Sequence, residues 1–163
     1  MRLAFAAALT LAVTLSSAAS AADVRWTSTE KPLEMLGMPA GEEEADDVLR
    51  LTCLKGGAVQ VGVGGYKSLG KGKGEPLSVT LASANHSVTL KGKSTQSKNF
   101  EMTASYELRA DLAADEVAAL YSVLTDGTAI RVSGAVKDAW SVKGLKAVAQ
   151  GFVAGCSRNS PAS

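Results

Sequence analysis

Leu77-Ser78-Val79-Thr80-Leu81-Ala82-Ser83-Ala84-Asn85-His86-Ser87-Val88-Thr89-Leu90-Lys91 reads as two strands and the turn between them. Leu77, Val79 and Leu81 alternate with Ser78 and Thr80. Beyond Ser83-Ala84-Asn85, Val88 and Leu90 alternate with Ser87, Thr89 and Lys91. A period of two, apolar on one side and polar on the other, marks strands with one buried and one wet face, the habit of antiparallel sheets. The short polar turn makes the pair a hairpin.

The same pattern extends in both directions. Upstream, Val59, Val61 and Val63 alternate with Gln60 and Gly62. Leu49, Leu51 and Cys53 alternate with Arg50 and Thr52, and Gly56-Gly57 joins the two runs. Downstream, the longest run sets Phe100, Met102, Ala104, Tyr106, Leu108 and Ala110 against Glu101, Thr103, Ser105, Glu107 and Arg109. Helical spacing then takes over. Asp115 and Glu116 suit the positive end of a helix dipole, and Val117, Leu120, Tyr121 and Leu124 fall on one face before Asp126-Gly127 stops it. Thr128 to Val136 predicts a strand carrying Ile130 and Val132, and Trp140 with Val142 a short one. Gly144 opens a second helix with the stripe Leu145, Val148, Phe152 and Val153, which Gly155 ends. The expected class is α+β: an antiparallel sheet of six to seven strands, two helices late in the chain, and one disulfide.

The flanks read differently. Met1-Arg2, the apolar run Leu3 to Leu15 and the small residues through Ala22 form a secretory signal peptide, expected over residues 1–22. The expected cut is after Ala22, with one after Ala21 as the competitor. Residues 23–47 show no clean period. Pro32, Gly37, Pro39 and Gly41 punctuate them, and Glu42, Glu43, Glu44, Asp46 and Asp47 make them an irregular acidic arm. Residues 48–156 then form the single domain and residues 157–163 a flexible tail. Cys53 and Cys156 both follow the leader, and an even count in an oxidising compartment is read as a disulfide, with two buried free thiols the alternative.

Composition excludes several classes. With 17 Lys and Arg against 16 Asp and Glu, the chain lacks the basic excess of a nucleic-acid binder. One His and two Cys cannot fill a four-ligand Cys/His zinc site. Past the leader, no stretch is apolar for the roughly 18 residues of a membrane span. Gly65 to Lys71 has phosphate-loop spacing, but Gly72 stands where Ser or Thr should hold magnesium, and no helix pattern follows. His86 is the only imidazole and has no nucleophile elbow near it. The acids at 42–47 lack the spacing of a calcium loop. Glu101 and Glu107 share a strand face with Thr103, Ser105 and Arg109, which makes a wet face rather than a catalytic carboxylate pair. No catalytic, cofactor-binding or metal-ligating residues are therefore assigned. One asymmetry stands out: Lys67, Lys71, Lys73, Lys91, Lys93 and Lys98 lie between Tyr66 and Phe100 against Glu75 alone. These lysines are the candidate anionic-partner surface.

Leu49-Arg50-Leu51-Thr52-Cys53 precedes the strand of Val59, Val61 and Val63. A helix closing on an isolated glycine and a strand with Ile130 and Val132 come later. Trp140-Ser141-Val142-Lys143-Gly144-Leu145 finally opens a helix running into Phe152 and Cys156. In this pattern, over residues 48–156, the chain resembles small periplasmic proteins of the VasI kind, accessories of type VI secretion. Its closing part is similar to the invasion-associated locus B family. The resemblance implies a periplasmic protein and brings no catalytic residues with it. The expected function is a periplasmic or secreted, non-enzymatic module that binds a macromolecular partner in the bacterial envelope. Binding of a small or polymeric anionic envelope ligand is the alternative. No cofactor, nucleic acid or membrane span after leader removal is expected.

Overall fold

The computed structural model describes residues 20–42 and 44–158. Residues 1–19 of the expected leader and 159–163 of the expected tail lie outside the described residues. The elements are β1 (Val24–Glu30), β2 (Leu33–Pro39), β3 (Leu49–Cys53), β4 (Val59–Tyr66), β5 (Pro76–Ala82), β6 (Ser87–Gln96), α1 (Phe100–Thr103), β7 (Tyr106–Leu112), α2 (Ala114–Thr125), β8 (Ala129–Gly134), β9 (Asp138–Ser141) and α3 (Leu145–Arg158). The opening hairpin is present as β5 and β6, with Val79 opposite Leu90 and Thr80 opposite Thr89. Leu81 and Leu90 are buried, each contributing about 1.5–3 kcal/mol of transfer free energy.

One sheet holds nine strands, in the order β1-β2-β3-β4-β7-β6-β5-β8-β9, rather than six or seven. The extra pair comes from the segment expected to be an irregular arm. Val24 and Trp26 point inward while Arg25 is exposed, and Met35 points inward from β2. The alternation is hidden because the inward residue opposite Trp26 is Gly37. A Cβ there would lie 2.3 Å from the indole Cζ3, so the ring occupies the space a side chain would fill. Thr29 Oγ1 donates to the Pro32 carbonyl at 2.6 Å across the turn.

Every ladder in that order is antiparallel. Nine strands of alternating direction bring β1 and β9 round running the same way. The sheet therefore curls until its ends meet in a parallel bridge, Ala22 to Trp140. Ala22 N–H donates to Ala139 O at 2.7 Å, Ser141 N–H donates to Ala22 O at 2.8 Å, and Trp26 Nε1 donates to Ser141 O at 2.8 Å. The result is close to a barrel. Its interior is filled by side chains such as Leu49, Val61, Leu108, Leu81, Ile130 and Trp140, all fully buried.

Curling needs a bend, and Gly92 supplies it. β6 pairs with β5 up to Lys93 and with β7 from Lys93 onward. At the crossover a Cβ on Gly92 would sit 2.3 Å from Arg109 O. Only a residue without a side chain lets the two backbones approach this closely. Gly92→Ala is expected to cost about 1–3 kcal/mol of stability, read as a lower urea midpoint. An unchanged midpoint would show that β6 and β7 separate freely here.

The helices close one end of the barrel. α2 packs on β5, β6 and β7, and α3 on β1, β2 and α2. Leu120, Val123 and Leu124 of α2 and Leu145, Ala149 and Phe152 of α3 are buried, with Val117, Tyr121, Val148 and Val153 packed at their flanks. Glu116 accepts the Ala113 N–H at 2.9 Å, satisfying a donor just before α2. Gly155 does not end α3, which runs on to Arg158. Its role is proximity, since a Cβ there would meet Leu33 Cδ2 at 2.9 Å. Cys156, in the last turn, is bonded to Cys53 at the end of β3. Ser157 and Arg158, expected in the tail, belong to that same helix. Among the described residues, no helix is long and apolar enough to cross a membrane.

The opposite end is closed by polar fastenings. Residues 100–103, expected as strand, form the single turn α1. Their alternation is coincidental. Asp46, from the acidic segment, accepts the Asn99 N–H at 2.9 Å and the hydroxyls of Ser97 at 2.8 Å, Thr103 at 2.5 Å and Ser105, which folds the chain into a turn there. Ala104, left-handed with φ 49°, leads out into β7. Nearby, Trp140 Nε1 donates to the Tyr66 hydroxyl at 2.9 Å, which donates to Asp138 Oδ2 at 2.5 Å. Burial and the Asp138 carboxylate push the Tyr66 hydroxyl far above its ordinary range, so it remains a donor.

Candidate binding face

Period two along β6 turns Val88, Leu90 and Ser94 inward and Thr89, Lys91 and Lys93 outward. Register then decides their neighbours. Lys91 stands opposite Ser78 and Lys93 opposite Pro76 on β5, and on the other side Lys93 faces Arg109 of β7. Two cations directly opposite on one face repel. Glu107 relieves this by pairing with Arg109. Its side chain is only 7% exposed although it sits on the outer face. It lies over Gly62, whose Cβ would come 3.3 Å from Oε2, and it accepts from Thr95 Oγ1 at 3.2 Å.

Beyond Gly62 stands Arg50, paired with Asp47. Burial opposes the Arg50 charge. The hydrogen bond and charge of Asp47, with Glu107 and Glu34 further away, more than offset it and hold the guanidinium above its ordinary range. Arg50 and Arg109 are thus paired, whereas Arg131, exposed on β8 opposite Ala82 of β5, takes part in no ion pair among the described residues. Among the described residues the ion pairs are Arg50–Asp47 and Arg109–Glu107, and none of the six candidate lysines takes part in one. Lys91 and Lys93 remain exposed and uncompensated. They edge an open concavity of about 580 Å³ with Pro76, Ser78, Gly92 and Gly74.

The loop of residues 67–75 adjoins this concavity and is fastened rather than free. Leu69 is fully buried and its carbonyl accepts from Ser94 Oγ at 2.5 Å. Gly72 N–H donates to Ser94 Oγ at 2.9 Å, and Gly74 N–H to Ser94 O at 3.0 Å. Glu75, the one acid of the region, accepts the N–H groups of Lys71 and of Lys73, the latter at 2.8 Å. Its carboxyl is held below the usual range by its own backbone N–H and, against some desolvation, by those of Lys73 and Lys71 and by the Lys71 charge. Its carboxylate is turned onto the loop backbone, while Lys71 and Lys73 are exposed.

The six lysines do not form one surface. Lys91 and Lys93 lie together, with Lys73 next to Gly74 at the same rim and Lys71 two residues further. Lys67 instead lines a cleft with Glu42 and Asp46. Lys98 sits between Ser97 and Asn99, both bonded to Asp46. Arg109, absent from the sequence-based set, joins this face only through non-local pairing; its alternation with Leu108 and Ala110, which places it outward beside Glu107, was the available signal.

Other candidates resolve into structure. Ser83, His86 and Asp126 come together, but Ser83 Oγ donates straight to Asp126 at 3.0 Å, as does Asn85 N–H at 2.9 Å. His86 is exposed and bonds Ser83 through its backbone N–H and carbonyl. Asp126 thereby ties the β5–β6 turn to the end of α2. Glu101 is exposed on α1, apart from Glu107 on β7. Gly65 to Gly72 leads into β5, not a helix. No group of three or more His, Cys, Asp or Glu placed to hold a metal occurs among the described residues. Compared with known proteins, the chain matches no family model, no curated protein and no solved structure.

Proposed function

We propose that this protein is a periplasmic or secreted, non-enzymatic module of the bacterial envelope that binds an acidic macromolecular partner through the outer face of β5 and β6. The observation that carries this reading is the contrast in compensation: Arg50 of β3 and Arg109 of β7 have carboxylate partners, whereas Lys91 and Lys93 of β6, exposed on the same side of the sheet, take part in no ion pair among the described residues. The disulfide is compatible with an oxidising compartment, as is the resemblance of residues 48–156 to small periplasmic accessory proteins. A small anion is the weaker reading. Sites for small ligands enclose most of the ligand, and this concavity is open on a sheet face, a shape suited to an extended partner.

Capture from periplasmic extract by cross-linking identifies the partner, and kinetics then test the face. The variant carrying Lys71→Ser, Lys73→Ser, Lys91→Ser and Lys93→Ser should keep its fold and associate about tenfold more slowly at low salt. The gap should close as salt is raised, because exposed charges are screened beyond about 8 Å at physiological ionic strength. Equal association rates at both salt concentrations would reduce the lysines to a solubility role.

A further inference from the structure

We infer that the mature chain begins at Ala22, so that leader removal cuts between Ala21 and Ala22 rather than between Ala22 and Asp23. Both cuts are open to the sequence, since Ala19-Ser20-Ala21 and Ser20-Ala21-Ala22 each present small residues at the exit of the apolar run. The structure distinguishes them through what Ala22 does. Its N–H and its carbonyl are both spent on β9, donating to Ala139 O at 2.7 Å and accepting from Ser141 N–H at 2.8 Å. Among the described residues, it alone forms the backbone bridge that joins the two ends of the sheet. Asp23 does not substitute for it, because its carbonyl already accepts from Ala40 N–H at 3.0 Å on the β2 side.

A cut after Ala22 would remove the bridge and leave the Ala139 carbonyl and the Ser141 N–H, both on half-buried residues, without their backbone partner. Of the hydrogen bonds that join β1 and its lead-in to β9 among the described residues, the one from the Trp26 indole to Ser141 O would then remain. A cut after Ala21 keeps the bridge. It converts the Ala22 amide to an ammonium, which still donates to the Ala139 carbonyl and does so with a full charge, and charge-assisted bonds are the stronger kind. Among the described residues, Ser20 and Ala21 make no backbone hydrogen bond of this kind.

This inference rests on the reading of residues 1–21 as a leader, and one experiment separates the two. The full-length gene is expressed with export, and the N-terminus of the periplasmic or secreted product is determined by intact mass and terminal sequencing. Ala22 as first residue is the expected result. Asp23 would overturn the inference while leaving the leader intact, and a product retaining residues 1–21 would overturn both. A second measurement tests the reason. Chains beginning at Ala22 and at Asp23, each released from a cleavable fusion, should differ in Tm by about 3–6 °C, the shorter being less stable. Equal Tm values would show that the bridge is no constraint on processing.

Discussion

Replacing Cys53 or Cys156 by Ala is expected to lower the free energy of unfolding by about 2–5 kcal/mol. The bridge spans a sequence separation of 103 residues, so in the unfolded state it closes a loop that takes in nearly the whole core. In the folded state it fixes the last turn of α3 to the end of β3. That position is strategic, because α3 covers β1 and β2, the pair that carries the seam of the sheet. Losing the staple loosens the helix and, through it, the strands that must meet β9. Urea unfolding of the wild type and both variants, with and without reductant, checks this. Reductant should bring the wild type down to the variants and leave the variants unmoved. A wild type insensitive to reductant would refute the expectation.

Asp46→Ala should rank next, at about 2–4 kcal/mol, since truncation removes one acceptor and strands several buried donors. Asp46 is 5% exposed. Ser97, Thr103, Ser105 and the Asn99 N–H all converge on it. Burial alone would raise its pKa. The hydroxyls of Ser105, Thr103 and Ser97 and the Asn99 amide outweigh burial and hold it below its ordinary value of 3.8. The sign of the linkage follows. A carboxyl depressed by folding contributes stability that is complete above its unfolded pKa and is lost as pH falls through the folded one. The loss attributable to Asp46 should therefore begin below about pH 4. Chemical denaturation between neutral pH and pH 3 should show the wild type converging toward Asp46→Ala. Parallel curves across that range would mean that Asp46 is not the group being titrated.

What could be read from the chain divides along the distance over which each decision is made. Leu77 to Lys91 was legible because its partners lie within one hairpin. The disulfide followed from an even count of cysteines beyond a segment that reads as a leader. Trp26 and Gly37 show the opposite case. The strand signal vanishes at Gly37 because its inward space belongs to an indole from the neighbouring strand, a fact no local pattern holds. Phe100 to Thr103 carries perfect alternation yet forms a turn, because a carboxylate more than fifty residues upstream gathers the donors around it. The site divides in the same manner. The excess of lysines was visible, but the meeting of Lys93 with Arg109, and the departure of Lys67 and Lys98 to the acidic side, are products of register and of contacts with Asp46.

The staple also sets how the molecule answers to tension. Force drawn along the chain from the C-terminal side reaches Cys156 and crosses the sulfur–sulfur bond into β3, bypassing the polypeptide between the two cysteines. Force from the N-terminal side meets first the two hydrogen bonds of Ala22 and then the β1–β2 ladder. An oxidised chain held at both ends can therefore lengthen only by what lies outside the covalent loop. The strands that present Lys91 and Lys93 lie within it, out of the path of the load.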